Sequence, residues 1–421
     1  VRKASVETDT VAVIGAGIVG VSAAIWLARD GRDVVLIDRS GPGEGTSHGN
    51  GGVLASCSVV PVTVPGLMRK APGMILDPKS PLFLRWSYLP RLMPWLARYL
   101  SHCNERDVRR IAAALTPILG DSLEQHQALA AGTAAERWIR PSDYLYVYRD
   151  RAAYEGDAFG WGIRRDCGYT WDEMEAEELG RYDPLLGPAN RFAAKLPGHG
   201  VIRDPGLYVK DLAAHFETLG GRIVKADVKG FEFDGDGRLA ALGTDAGPIA
   251  ASRAIVATGV WSKGLSKLLG IDVPLESERG YHLELEEPSA SPAAPAMVAS
   301  GRFVITPMEG RIRLAGIVEF GGLEAGPAEA PFGILEAELR RAMPTLSWKS
   351  TRKWMGHRPA PSDSIPVIGA SPVHGDVLMA FGHHHVGLTG GAKTGRLVAD
   401  LIAGRKPNID LTPYSPERFA S

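Results

Sequence analysis

One stretch near the start, residues 10–38, constrains the fold more than any other. Residues 10–14 (TVAVI) form a short continuous apolar run, the pattern of a strand buried on both faces of a parallel sheet. The segment GAGIVG at 15–20 follows at once, helical spacing runs through Ala28, and Gly31 closes the helix. Residues 33–37 (DVVLI) read as a second strand, and Asp38 ends it 23 residues after Gly15. Strand, glycine turn, helix and acidic strand end together make a dinucleotide-binding βαβ unit. Gly15 permits the tight turn, Gly17 lets backbone approach a pyrophosphate, and Gly20 lets helix pack on strand. The helix N-terminus favours the phosphate charge, and Asp38 can accept hydrogen bonds from ribose hydroxyls. Glycine is common here, 50 of 421 residues, so the setting carries the reading rather than the motif alone.

The fingerprint does not decide between NAD and FAD. The loop GTSHGNGG at 45–52 offers glycines, hydroxyls and an amide directly after the acidic strand, and such a loop can continue from pyrophosphate toward a flavin. A plain turn-rich loop is the competing reading.

Farther on the pattern changes. Residues 61–140 are proline-rich and then helical, with Leu89, Leu92, Met93, Leu96 and Leu100 at helical spacing and a second periodic run over 108–129. Residues 144–148 (YLYVY) read as a strand. From Pro205 the α/β alternation returns, with a helix over 207–219 ended by Gly220-Gly221 and a buried strand at 253–257. Residues 273–352 read as strands with one helix, 335–342. A strand at 377–381, a Gly/His loop and a helix to Ile402 close the chain. The cofactor-like pieces are therefore interleaved with segments of another character. At 421 residues two cores are expected, since single cores stop growing beyond roughly 250–300 residues.

A net charge of −1 gives no basic field for nucleic acid, and no apolar run is long enough to span a membrane. Residues 1–10 carry no apolar stretch or small-residue cleavage site, so no secretory leader is expected and the cytoplasm is the default location. Cys57, Cys103 and Cys167 fit neither a disulfide framework nor a metal cluster. Arg91 and Arg98 lie opposite the apolar stripe of 89–100, with Trp86 and Trp95 nearby. That pattern suits peripheral contact with the inner face of a membrane or an ordinary core-facing helix.

Several motifs in fixed order carry a family resemblance. The βαβ fingerprint and the 45–52 loop are followed by ATGVWS at 257–262, WMGHRP at 354–359, PSDSIPVIG at 361–369 and GHHHVGLT at 382–389. In these the chain resembles the D-amino-acid oxidase-like flavoproteins over residues 11–404. The helical insert, with Asp77-Pro78 and residues 89–95, looks most like the bacterial D-amino-acid dehydrogenase branch. The implied fold is α/β: a Rossmann-like FAD-binding domain with a glutathione-reductase-like βαβ start, interleaved with an α+β substrate domain built on an antiparallel sheet. The expected boundaries are 9–65, 190–272 and 355–421 for the first domain, and 66–189 and 273–354 for the second.

FAD contacts are expected at Gly15, Gly17, Ile18, Val19, Asp38 and Arg39 in the βαβ unit. The loop adds Thr46, Ser47, His48, Asn50, Gly51 and Gly52, and later segments add Val228, Thr258, Gly259 and Trp261. Gly387, Leu388 and Thr389 open the last helix, whose N-terminus would stabilise negative charge on reduced flavin. Sarcosine-oxidase-like relatives carry a flavin-bonding cysteine near WMGHRP; residues 354–359 have none, so FAD is expected to be non-covalent. The resemblance assigns Arg358 to the substrate carboxylate, which a planar guanidinium fork matches with two parallel hydrogen bonds. Pairing with an internal acid is the alternative.

Tyr281, Leu283 and Leu285 share one face of a strand that lines the family's pocket. Tyr281 is thus a candidate substrate contact or a core tyrosine, and His282 points the other way. His383, His384 and His385 precede the last helix, and one of them, with His384 as candidate, is expected to face flavin or substrate. Consecutive histidines rarely converge on one ion, and no metal is expected.

The reaction implied is oxidative deamination of a small amino acid, of D-amino-acid or D-proline/hydroxyproline type, by hydride transfer from the α-carbon of the neutral amine to flavin N5. No protein base is nominated. The electron acceptor is open among a quinone, an electron-transfer protein and oxygen. The competing readings are a glycine- or sarcosine-type amine oxidase using oxygen, and a non-catalytic flavin-binding subunit or sensor.

Overall fold

The structure, a computed structural model, describes residues 9–67, 73 and 81–420; Asp77 and Pro78 lie outside them. Two sheets organise the chain. The first has six strands in the order Val367–Ala370, Val377–Phe381, Arg253–Val256, Val11–Ile14, Val34–Asp38 and Arg222–Lys225. All neighbours are parallel except the edge pair of Val367–Ala370 with Val377–Phe381. Val11–Ile14 is buried at every position, as a central strand covered on both faces must be. Helices Ile18–Arg29, Pro205–Thr218 and Gly387–Ile402 cover one face. A three-stranded antiparallel layer (Val228–Phe233, Leu239–Thr244, Ile249–Ala250) and helix Ser262–Leu268 cover the other.

Helices Ile18–Arg29 and Gly387–Ile402 approach closely through glycine. A Cβ at Gly391 would strike Ile18 and one at Gly395 would strike Ser22, whose hydroxyl donates to Ala392 O at 2.9 Å. The contacts advance in the same sense along both helices, so the two run parallel with their N-termini at one end.

The second sheet has ten strands. Its path runs from Ser350–Pro361 through Leu275–Glu286, Arg311–Phe320, Phe303–Met308, Ala296–Val298, Ile139–Tyr148 and Phe192–Ile202 to Val53–Leu54. Leu82–Leu84 and Asp172–Glu175 pair off this path. It is mixed but mostly antiparallel, with parallel pairs only at Ala296–Val298 with Ile139–Tyr148 and at Leu82–Leu84 with Arg311–Phe320. Helix Ala330–Ala342 packs on one face over Tyr281, Leu283 and Leu285, and the other face looks toward the first sheet. The parallel sheet is thus interleaved along the chain with the mixed one.

The periodic run over 108–129 is two helices, Glu105–Leu119 and Ser122–Ala130, broken at Gly120-Asp121. In helix Leu89–Ser101 the buried stripe is Leu92, Trp95 and Tyr99, while Met93 points outward at 48% exposure. Trp95 also donates to Ala360 O at 3.0 Å, which ties this helix to the edge strand Ser350–Pro361 of the second sheet. No helix among the described residues is long and apolar enough to cross a membrane.

Candidate functional site

Between the sheets lies a cavity of about 840 Å³, toward the top of the ~300–1,000 Å³ range of small-molecule sites. The βαβ turn forms one part of its wall and the start of the last helix another. Gly15 has φ +104°, and a Cβ there would come within 2.5 Å of Ala257 O; only glycine fits. Neither helix Ile18–Arg29 nor helix Gly387–Ile402 has a side-chain cap from its own N-cap residue. Two positive dipole ends therefore border one cavity. Ser47 Oγ accepts the Ile18 amide at 3.0 Å and Asp38 accepts that of Ala16 at 2.8 Å. The amides of Gly17 and Val19 have no partner among the described residues. Asp38 also takes the amides of Ser40 and Gly41 at 2.8 and 3.0 Å. A carboxylate has about four acceptor sites, so room remains for a hydroxyl.

All the sequence-predicted cofactor residues line this cavity except His48 and Gly52. Gly52 is held behind the wall, its amide donating to Asn50 Oδ1 at 2.9 Å and its carbonyl accepting from Ile202 at 2.7 Å. The His48 ring sits against Gly206. Arg39 stacks over the Trp261 ring at 4.0 Å, and Thr46 donates to His357 O at 2.8 Å.

The 45–52 loop is fastened from beneath by residues with no sequence motif to announce them. Arg313, fully buried, donates to His48 O at 2.9 Å, to Asn50 O at 2.5 Å and to Glu284 at 2.6 Å. Glu284 also accepts from Arg311 at 2.7 Å. His282 contacts Gly49 O through Nδ1 at 3.1 Å and stacks on Trp354, ring centroids 4.9 Å apart. Burial, then the nearby Arg313 charge, pushes His282 down to about 3, so it is neutral.

Arg358 lies on strand Ser350–Pro361, directly opposite Glu278 on Leu275–Glu286. Its Nη1 donates to Glu278 Oε1 at 2.9 Å. Nε and Nη2 have no partner among the described residues. The guanidinium lies over Gly280, where a Cβ would come within 2.5 Å of Cζ; a side chain there would displace it. The other Glu278 oxygen is bound by His384 Nε2. Burial alone would raise the Glu278 pKa, but the charge and hydrogen bond of His384, then Arg358, outweigh it and hold the carboxyl well below its usual range.

Tyr281 borders the cavity, but its side chain belongs to the opposite face of the sheet. It is 1% exposed, donates to Glu319 at 2.5 Å and accepts the Ala328 amide at 3.0 Å. The alternation expected along this strand is present, and the cavity lies on the side of Glu278, Gly280 and His282. Among the three histidines, His383 bonds Thr394 at 2.8 Å and His384 bonds Glu278. His385 is the one whose ring opens onto the cavity, and its place deep within the fold, then the His384 charge, lower its pKa from the ordinary imidazole value.

Comparison with known proteins places these features. A family profile described as DAO, FAD dependent oxidoreductase, matches residues 10–401. A D-amino-acid oxidase of Bradyrhizobium diazoefficiens is 40% identical over 98% of this chain and 99% of its own. D-amino acid dehydrogenase 2 of Ralstonia nicotianae is 32% identical over 97% and 100%. Among solved structures, glycine oxidase from Geobacillus kaustophilus superposes with a TM-score of 0.74 over 97% of this chain and 98% of its own, at 20% identity. That likeness concerns the fold.

Proposed function

Because the chain belongs to the DAO family of FAD dependent oxidoreductases, we propose that it deaminates D-amino acids oxidatively, with the substrate carboxylate held by Arg358. The substrate class comes from the two relatives, an oxidase and a dehydrogenase of D-amino acids. The observation that carries it to this site is the Arg358 guanidinium on the cavity wall, with Nε and Nη2 unpaired.

The wall suits FAD: two helix N-termini without a cap from their own N-cap residues, the Gly15 turn that no Cβ could enter, and amides of Gly17 and Val19 without a partner among the described residues. Those amides would hold the pyrophosphate, Asp38 a ribose hydroxyl, and Gly387, Leu388 and Thr389 the flavin. No cysteine lines the cavity among the described residues, which supports non-covalent binding. When bound, FAD supplies the acceptor for a hydride from the substrate α-carbon. The protein orients. Arg358 fixes the carboxylate by a two-point grip, and Tyr144, Met297, Val304 and Val318 give an apolar surround that excludes water. His385, kept neutral, adds no second cation that would draw the carboxylate from Arg358.

We take oxygen as the acceptor, on the strength of the oxidase at 40% identity beside the dehydrogenase at 32%. The test is 2-oxo acid and ammonia formation by purified holoprotein from matched D- and L-amino acids, with oxygen uptake followed in parallel. Product from the D-series with equimolar oxygen uptake is expected. Absence of product from every amino acid would overturn the activity; product without oxygen uptake would overturn the acceptor.

A further inference from the structure

The wall that carries Arg358 also carries a buried carboxylate with acceptor capacity left over. Glu278 is 4% exposed, borders the cavity, and shares a sheet face with Arg358 as its register partner. Arg358 and His384 use one acceptor direction on each of its oxygens. A carboxylate has about four such directions. A buried charge is costly unless paired, and here Arg358 and His384 hold Glu278 ionised. The His384 ring also meets that of Tyr99 edge-on, centroids 6.5 Å apart. The wall therefore shows a cation and an anion side by side at 2.9 Å.

An α-amino acid is a zwitterion whose two charges are separated by one carbon, the same short spacing. A lone arginine would bind any small carboxylate. An arginine beside a fixed anion repels a plain acid in part, and it regains the lost energy only from a ligand that brings a cation to the second pole. The 2-oxo acid product has no such cation.

We propose that Glu278 is a specificity-determining residue that receives the α-ammonium group of the substrate while Arg358 receives its carboxylate. The wall then selects the zwitterion over plain carboxylates, the oxo-acid product included. The inference rests on the reading of Arg358 as carboxylate anchor. It concerns capture of the substrate; the ammonium proton leaves before hydride transfer.

The test uses the FAD-loaded enzyme and two ligands of one shape, read by the change each makes in flavin absorbance. 2-Aminoisobutyrate has no α-hydrogen and cannot be oxidised; pivalate carries a methyl group where the other has ammonium. The wild type is expected to bind aminoisobutyrate at least tenfold more tightly. In Glu278→Gln that preference should fall to near unity, by loss of aminoisobutyrate affinity with pivalate unchanged or tighter. Equal weakening of both ligands would mean that Glu278 only orients Arg358 and would overturn the proposal, as would a wild type without preference. A wild type that binds neither ligand would overturn the Arg358 reading as well, which separates the two failures. Should Glu278→Gln fail to retain FAD, the wild-type preference and Glu278→Asp decide: the withdrawn charge should give an intermediate ratio, and an unchanged ratio would refute the assignment.

Discussion

Replacing Arg313 by Met should loosen the cofactor loop far more than a single buried residue ordinarily would. The side chain reaches the carbonyls of His48 and Asn50 and the Glu284 carboxylate, all from a fully buried position. Hydrogen bonds from a charged donor contribute about 1.5–3 kcal/mol each, so the two loop carbonyls together lose about 3–6 kcal/mol of anchoring. Part of that returns as loop freedom, leaving about 2–4 kcal/mol that FAD binding must supply. At ~1.4 kcal/mol per factor of ten, the Kd for FAD should rise roughly 30- to 700-fold. Among the described residues Glu284 keeps Arg311 at 2.7 Å and the more distant Arg352, so global stability should also fall, by about 1–3 kcal/mol for the lost charge-assisted bonds. The two effects separate in the double variant Arg313→Met/Glu284→Gln, which removes the under-compensated Glu284 charge but not the loop's loss. Stability should largely recover while FAD affinity stays weak. The assay is fluorescence titration of apoprotein with FAD, alongside thermal unfolding. An unchanged Kd in Arg313→Met, or recovery of Kd together with stability in the double variant, would refute the assignment of Arg313 to the loop.

Arg358→Ala should raise KM for D-amino acids by roughly 100-fold or more, from loss of charge-assisted hydrogen bonds of about 3 kcal/mol, and should leave plain amines within a few-fold; steady-state kinetics on both classes checks it. Tyr281→Phe should lower stability by about 1–3 kcal/mol through the orphaned Ala328 amide and the lost bond to Glu319, which keeps Arg85 and Arg279, with KM unchanged within twofold, and a tenfold rise in KM would move Tyr281 into the substrate site. His126 and His383 are buried and pushed down to about 4 from 6.5 by burial. The unfolded chain protonates first as pH falls, so stability is full above about 6.5 and is lost on the way to about 4, by up to about 3 kcal/mol per histidine; Tm across that range, with flattening in His126→Gln, checks the sign.

What was legible in the sequence was local. The βαβ unit could be read because its strand, glycines, helix and acid stand within residues 11–38, where each has a short-range steric reason. The last helix and strands 253–256 and 377–381 declared themselves in the same way by apolar runs and glycine stops. The substrate wall was harder. Period-two alternation correctly groups Tyr281 with Leu283 and Leu285, but alternation says nothing about which face meets the cavity. Both faces of strand Leu275–Glu286 are buried, so burial pattern gives no clue either. Glu278 pairs with a residue 80 positions away, a register that no local rule supplies. The one available signal was the acids at alternate positions 276, 278, 284 and 286, unusual in a strand within apolar surroundings. Among the adjacent histidines, the positive φ of His384 (50°) lies in the turn that separates their directions, and nothing in HHH foretells it.

The central claim is that this cavity holds a flavin that D-amino acids reduce. Anaerobic titration of the purified FAD-bound protein, followed at the oxidised flavin band, tests it most directly. Stepwise bleaching by D-amino acids, with the L-enantiomers leaving the band intact, is the predicted result. A protein that takes up no FAD, or a bound flavin that no amino acid bleaches, would contradict it.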